Sequence, residues 1–225
     1  MCIAISRFQS EHSPHKEDRI MEGTIQWKDR TLYYRGDPGL LGRKSAAVIG
    51  TRHPQEKSRT GGYRMTEKMC VHADLVIVTG LALGCDTVAA KAALAAGTPV
   101  IAVLPSGTSN IYPRSNRALA EEIVKKGGCL ISEYPPEAGA EKWKFIARDR
   151  LMAEIADAVI VIECGEYSGT MHTVRAAYGL GKRLGCLVPA DTAAGGFEGN
   201  FLMIGEYGAE GIRNTRELKT FLGTP

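Results

Sequence analysis

The chain lacks any run of about 20 apolar residues, the length a helix needs to cross a bilayer. Its first residues, Met1-Cys2-Ile3-Ala4-Ile5-Ser6-Arg7, also lack the sustained apolar segment and small-residue cleavage site of a secretory leader. Both absences argue against a membrane role, and a cytoplasmic location is expected. No C-x-x-C pair occurs: Cys2, Cys70, Cys85, Cys129, Cys164 and Cys186 are scattered, most of them in or beside apolar segments. That distribution favours buried thiols acting as small apolar groups over metal ligands or disulfides. The histidines show no ligand spacing either, so neither a metal nor a cofactor is expected. The strict G-x-G-x-x-G fingerprint is missing, and no acidic residue follows the first strand at the usual distance, which disfavours an ordinary NAD enzyme. Charge is nearly balanced, with 28 basic and 25 acidic residues and a net +3. Composition alone therefore permits nucleic-acid binding without indicating it, and charge must be judged by location.

What is present is an ordinary globular composition, 44% apolar and 24% charged over 225 residues. That length suits one sizeable α/β domain with a small appendage. Residues 1–30 are polar and without clear period, as in Glu11-His12-Ser13-Pro14-His15-Lys16-Glu17-Asp18, and read as an N-terminal arm or added element; residues 31–225 read as the main domain. Leu32-Tyr33-Tyr34 starts like a strand and ends in the turn signal Gly36-Asp37-Pro38-Gly39.

A repeating device follows. Apolar runs over 46–49, 76–79, 100–104, 129–133, 159–162 and 184–188 are each bounded by turn residues, as strands buried on both faces are. Helical patterns are expected over 63–73, 86–96, 113–126, 144–156, 170–180 and 215–222, with one more short helix after the Gly-rich loop Ala194-Gly195-Gly196-Phe197-Glu198-Gly199-Asn200. Asp86 or Thr87 can cap the second helix. Alternation of this kind calls for a doubly wound, mainly parallel sheet, a Rossmann-like α/β architecture.

In such sheets ligands bind outside the carboxyl ends of the strands. Here those exits concentrate small and polar residues: Gly50-Thr51-Arg52, Thr79-Gly80, Pro105-Ser106-Gly107, Ser132-Glu133, and Glu163 followed by Ser168-Gly169-Thr170. Turns favour the same residues, yet their gathering at strand exits points to a ligand cleft. The Ser-Gly-Thr triplet before a helix is suited to holding an anion, most plausibly a phosphate, on open backbone N–H groups at the positive end of the helix dipole. The alternative is that Ser168 merely caps the helix.

In this order the motifs resemble those of the DprA/Smf DNA-processing proteins, over about residues 32–209. The stretches that carry the resemblance are Leu32-Tyr33-Tyr34-Arg35-Gly36-Asp37-Pro38, Val48-Ile49-Gly50-Thr51-Arg52, Thr79-Gly80-Leu81-Ala82-Leu83-Gly84-Cys85-Asp86, Ile101-Ala102-Val103-Leu104 and Tyr112-Pro113 with Asn116. They continue with Leu130-Ile131-Ser132-Glu133, Phe145, Arg148-Asp149-Arg150, Ser168-Gly169-Thr170 with Thr173, Gly199-Asn200 and Gly208-Ala209. The resemblance implies an extended Rossmann domain that binds single-stranded DNA, often as a homodimer, and helps load a RecA-type recombinase during natural transformation; it does not imply an enzyme. It places DNA phosphates at Arg52, Arg148 and Arg150, beside Gly50, Thr51, Gly80, Gly84, Ser168, Gly169 and Thr170, with Asp86, Asn116, Glu133 and Thr173 in support. Arg148 and Arg150 also admit a solvated helix face, or an ion pair with Asp149, Glu154 or Glu133. Trp143 and Phe145 are read as core or rim residues rather than stacking platforms. Three positions depart from the family pattern: Asp149 where Asn is usual, Ala90 where His is common, and Ile146 where Pro is expected.

A second reading is a nucleotide sensor, or a phosphoribohydrolase similar to the Lonely-Guy enzymes, which typically carry P-G-G-x-G-T-x-x-E. Here the Gly-Thr is kept at 169–170, and Thr173 stands where that motif has its acidic residue. Hydrolysis needs a carboxylate to steady the developing sugar cation or activate water, so this reading ranks second unless Glu163 or Glu166 substitutes.

Overall fold

The apolar runs of the sequence form the middle of one sheet. A computed structural model describes residues 20–192 and 195–224; Cys2, most of the expected arm, Ala194 and Pro225 lie outside the described residues. In chain order the elements are β1 (Glu22–Trp27), β2 (Arg30–Gly36), a 3-10 turn (Pro38–Gly42), β3 (Ser45–Ile49), α1 (Glu56–His72), β4 (Val76–Thr79), α2 (Cys85–Ala95) and β5 (Val100–Leu104). A second 3-10 turn (Arg114–Asn116) leads into α3 (Arg117–Lys125), followed by β6 (Cys129–Ser132), α4 (Lys142–Ile155), β7 (Ala158–Val161), α5 (Thr170–Gly179), β8 (Arg183–Leu187), α6 (Glu198–Glu206), β9 (Glu210–Ile212) and α7 (Thr215–Leu222).

Among the described residues the sheet has nine strands in the order β1-β2-β6-β5-β4-β3-β7-β8-β9. Strands β3 to β9 run parallel, and β1 and β2 add an antiparallel hairpin beside β6. The doubly wound α/β reading is thus the observed architecture. Successive residues of each central strand enter opposite cores: Ala46, Val48, Ile77, Ala102 and Leu104 face the layer of α1, α2, α3 and α7, with Met69, Ala93, Ile123 and Phe221. Ala47, Ile49, Val78, Ile101 and Val103 face the layer of α4, α5 and α6, with Leu151, Met171, Ala177 and Met203. Burial on both faces is why these strands read as unbroken apolar runs. No helix among the described residues is long and apolar enough to cross a membrane.

Three elements differ from the sequence expectation. β1 lies inside the segment read as an arm or added element and pairs with β2 from Glu22↔Arg35 to Trp27↔Arg30. β9 has only three residues, too few to show a period. Helix α1 begins at Glu56 rather than near residue 63, running through Gly61-Gly62. A Cβ at Gly62 would stand 2.6 Å from Ile162 Cδ1, so the pair that looks like a helix breaker is where α1 presses onto the sheet.

Candidate functional site

Strand order sets the site. From β3 the chain winds outward through β4, β5 and β6, then returns to β7 on the other side of β3 and winds out through β8 and β9. The carboxyl ends of β3 and β7 therefore open a crevice at the point where the winding reverses. A cleft of about 650 Å³ occupies it, walled by Gly50-Thr51-Arg52-His53 after β3, Ala82 and Asp86 after β4, one face of α4, and Ser168-Gly169-Thr170 with His172 and Thr173 at the start of α5.

The loop between β4 and α2 is held rigidly. Asp86 is buried, and its Oδ2 accepts from the N–H groups of Gly80 (2.9 Å) and Ala82 (3.4 Å). Thr87 Oγ1 donates to the Ala82 carbonyl at 2.7 Å, and the Asn116 amide donates to the Leu81 carbonyl at 2.9 Å and lies within 2.9 Å of Thr87 Oγ1. These bonds hold Leu81 at a φ of 54°, in the left-handed region that bulky residues avoid. Helix α2 starts from Gly84 (φ 75°), not from an Asp86 or Thr87 cap, because both of those side chains are turned back onto the loop.

Helix α4 carries the opposite wall. Lys142, Phe145, Ile146, Asp149 and Met152 recur at three- and four-residue steps and all face the cleft, as does Arg148. Arg148 is buried; its Nη1 donates to the Gly80 carbonyl, and its Nε lies 2.9 Å from Asp149 Oδ1 without the alignment of a full hydrogen bond. A Cβ at Gly80 would collide with that guanidinium, so only glycine permits this contact. Burial raises the pKa of Asp86, against the opposing pull of Arg148 and the loop N–H groups. Burial likewise raises Asp149, with Arg148 and His172 opposing and Asp86 adding to the rise. Two carboxylates thus share one buried guanidinium. Phe145 has two cations beside its ring, Arg52 at 5.3 Å and Arg148 at 5.9 Å from the ring centre, and meets Tyr112 edge-on at 5.5 Å.

At the third wall the N-cap of α5 is Gly169, with no side-chain cap bond, so Ser168 does not cap the helix. Its Oγ is buried beside the Cys164 thiol, and the N–H groups of Met171 and His172 in the first turn of α5 already donate to the carbonyls of Ser168 (3.1 Å) and Gly169 (3.0 Å). The loop behind it is fixed by Asn200, fully buried, whose Oδ1 accepts from Cys164 N (2.9 Å) while Nδ2 donates to the carbonyls of Ile162 (3.1 Å) and Leu187 (2.9 Å). Cys85, Cys129, Cys164 and Cys186 are buried and free, and burial pushes the Cys164 thiol up to about 12, which leaves it inert. No group of three or more potential metal ligands occurs among the described residues.

Of the residues singled out in the sequence, the fold brings Gly50, Thr51, Arg52, Asp86, Arg148, Ser168, Gly169, Thr170 and Thr173 to this one cleft. Gly80 lies behind Arg148, its N–H already taken by Asp86, and Gly84 opens onto a neighbouring groove together with Asn116. Arg150 is exposed and outside the cleft wall, on the far side of α4. Glu133 is also elsewhere, bonded to Arg30 at 2.9 Å, and Glu163 sits beneath α1, accepting from Gln55 N at 3.0 Å. Trp143 packs edge-on against Tyr134, away from the cleft, whereas Phe145 lines it. Lys142, Tyr112, His53 and His172 line the cleft without having been singled out as ligand contacts. For Lys142 the signal was available, since it shares the spacing of Phe145, Asp149 and Met152.

A family profile described as DNA recombination-mediator protein A matches residues 11–223. The DNA processing protein DprA of Bacillus subtilis is 34% identical over 154 residues, 68% of this chain and 51% of that protein. A structure of DNA processing protein A from Helicobacter pylori, concerned with its single-stranded DNA binding mode, superposes with a TM-score of 0.80 at 29% identity, covering 91% of this chain and 97% of that one. That of DprA from Streptococcus pneumoniae gives 0.77 at 31%, covering 84% and 65%. The chain spans about half the length of the curated relatives it matches.

Proposed function

The chain belongs to the DNA recombination-mediator protein A family, and on that premise we propose that it binds single-stranded DNA in the cleft between β3 and β7. The observation that carries the reading is Phe145 with Arg52 and Arg148 at 5.3 and 5.9 Å from its ring centre at the winding reversal, an aromatic ring beside two cations. Strand binding without sequence preference combines just these parts: cations that follow the backbone and rings on which bases stack. The H. pylori relative, with which the chain superposes over 91% of its length, supports the same ligand.

Each wall has its part. Arg52 is exposed and free to take phosphate oxygens in a bidentate way. The N–H groups of Gly169 and Thr170, at the entry to α5, receive a second phosphate. Arg148 is locked between Gly80 and Asp149 and supplies fixed positive charge at the cleft floor. In the cell the protein acts in the cytoplasm as a homodimer in DNA uptake and transformation, delivering the strand to a RecA-type recombinase; these roles rest on the family. The site takes up no cofactor in this reading and carries out no reaction.

Fluorescence anisotropy with oligo-dT at about 50 and about 200 mM salt tests the reading; binding that weakens by one or more decades between them is expected. Absence of binding at low salt, or binding indifferent to salt, refutes it. The hydrolase reading needs Glu163 or Glu166 in place of the carboxylate missing at Thr173, but neither lines the cleft, and Glu163 is buried and accepts from Gln55 N. Free base released from a nucleoside monophosphate would reverse the ranking.

A further inference from the structure

We infer that the bound strand continues past Arg52 into a second, purely basic groove between α1, α2 and the turn before α3; the inference rests on the single-strand reading above. A cavity of about 550 Å³ lies there, lined by Arg52, Arg59, Tyr63, Lys91 and Ser115 among others. It is continuous with the main cleft because Arg52 and His53 wall both. Its charge is one-sided: three cations line it and no carboxylate does, whereas the main cleft contains Asp86 and Asp149.

The cations are available. Arg52 and Lys91 make no ion pair among the described residues, and that of Arg59 is a loose contact with Glu56 at 4.0 Å. An uncompensated row of three cations on a folded surface is costly in self-repulsion and is relieved by a polyanion lying along it. The floor is rigid, since Thr87 and Asn116 tie α2 and the turn before α3 to the loop at 81–82. Tyr63, half-buried on α1, offers a ring edge beside the cations. A groove of this kind receives phosphates in passing and extends the strand's footprint, while the main cleft holds the first nucleotides.

The experiment compares oligo-dT of about 5 and about 16 nucleotides, bracketing the site sizes usual for one such domain. The longer strand is expected to bind roughly tenfold or more tightly at low salt. Combined Arg59→Gln and Lys91→Gln removes most of that gain and lowers the slope of log affinity against log salt by about 1.4, the contribution of two single-strand phosphates. The shorter strand is expected to keep its affinity within roughly twofold, because the sites are separate. The pair Arg59→Lys and Lys91→Arg keeps charge and is expected to keep the gain. If the short strand binds and the long one binds no better, or if the glutamine variant retains the full gain, the groove is refuted while the cleft stands. Binding of neither length refutes both.

Discussion

Asp149 is expected to oppose the binding that its neighbours promote, and Asp149→Asn measures by how much. The carboxylate lies 2.9 Å from Arg148 Nε and lines the cleft, so a phosphate received on the cleft side of that guanidinium comes within roughly 6 Å of it. Two negative charges at that distance repel by about 1.4 kcal/mol at an effective dielectric near 40 and by about 2.8 at 20. Salt screening reduces both figures, and an affinity gain of roughly tenfold is expected for the asparagine variant. Asparagine keeps the shape and can still accept from Arg148, so packing is preserved. The pH dependence gives an independent readout. Burial raises the Asp149 pKa; protonation removes a negative charge, so wild-type affinity is expected to rise as pH falls through it. Asp86, His53 and His172 also face the cleft, as do Arg52, Arg148 and Lys142, and all of these are common to both proteins. The variant is therefore expected to show a shallower rise than wild type in anisotropy titrations at low salt. Equal affinities, or parallel pH profiles, would refute the reasoning.

Four further outcomes are expected. Gly80→Ala forces a methyl group into the Arg148 guanidinium and is expected to destabilise the fold by about 2 kcal/mol or more, a fall of several degrees in melting temperature. Arg52→Ala is expected to leave the melting temperature within about a degree while weakening oligo-dT binding and flattening its salt slope by about 0.7; Arg148→Ala, which strips two buried carboxylates of their cation, is expected to cost about 3–5 kcal/mol in chemical denaturation. Asn200→Ala leaves the N–H of Cys164 and the carbonyls of Ile162 and Leu187 without their partner, and a loss of about 2–4 kcal/mol is expected by the same assay.

The sheet was legible where burial on both faces left one chemical signal. The runs at 100–104 and 76–79 coincide with β5 and β4, because a strand with helices on either side cannot alternate with polar residues. β1 and β9 were not, the one for being an edge strand whose core-facing side offers only half-buried Ile25 and Trp27 and the other for being three residues long. Gly61-Gly62 misled for a related reason: propensity treats glycine as a helix breaker, while here the missing Cβ of Gly62 is what lets α1 approach Ile162. At the site, strand exits were readable because their position follows from topology. Arg148 and Arg150 were not separable by residue type. Helix phase separates them, and the phase was present in the spacing of Lys142, Phe145, Asp149 and Met152, which places position 150 on the other face.

The two arginines that border Phe145 differ in how charge is made available, and that difference shapes the site. Arg52 is solvated, so bringing a phosphate to it exchanges water for oxygen at little structural consequence, and its contribution is screened as salt rises. Arg148 is almost wholly removed from solvent. Its desolvation is already offset within the fold by the Gly80 carbonyl and Asp149, and its position does not have to be won from a flexible chain when a strand arrives. The same arrangement mutes its field, because the neighbouring carboxylates cancel much of the charge it presents. Phe145 links the two: its ring is oriented by Tyr112 and by both guanidiniums, so a base stacking on it meets a surface that is already ordered. On the single-strand reading, the identity of the residue at 149 therefore decides how much of the Arg148 charge a phosphate in the cleft would feel.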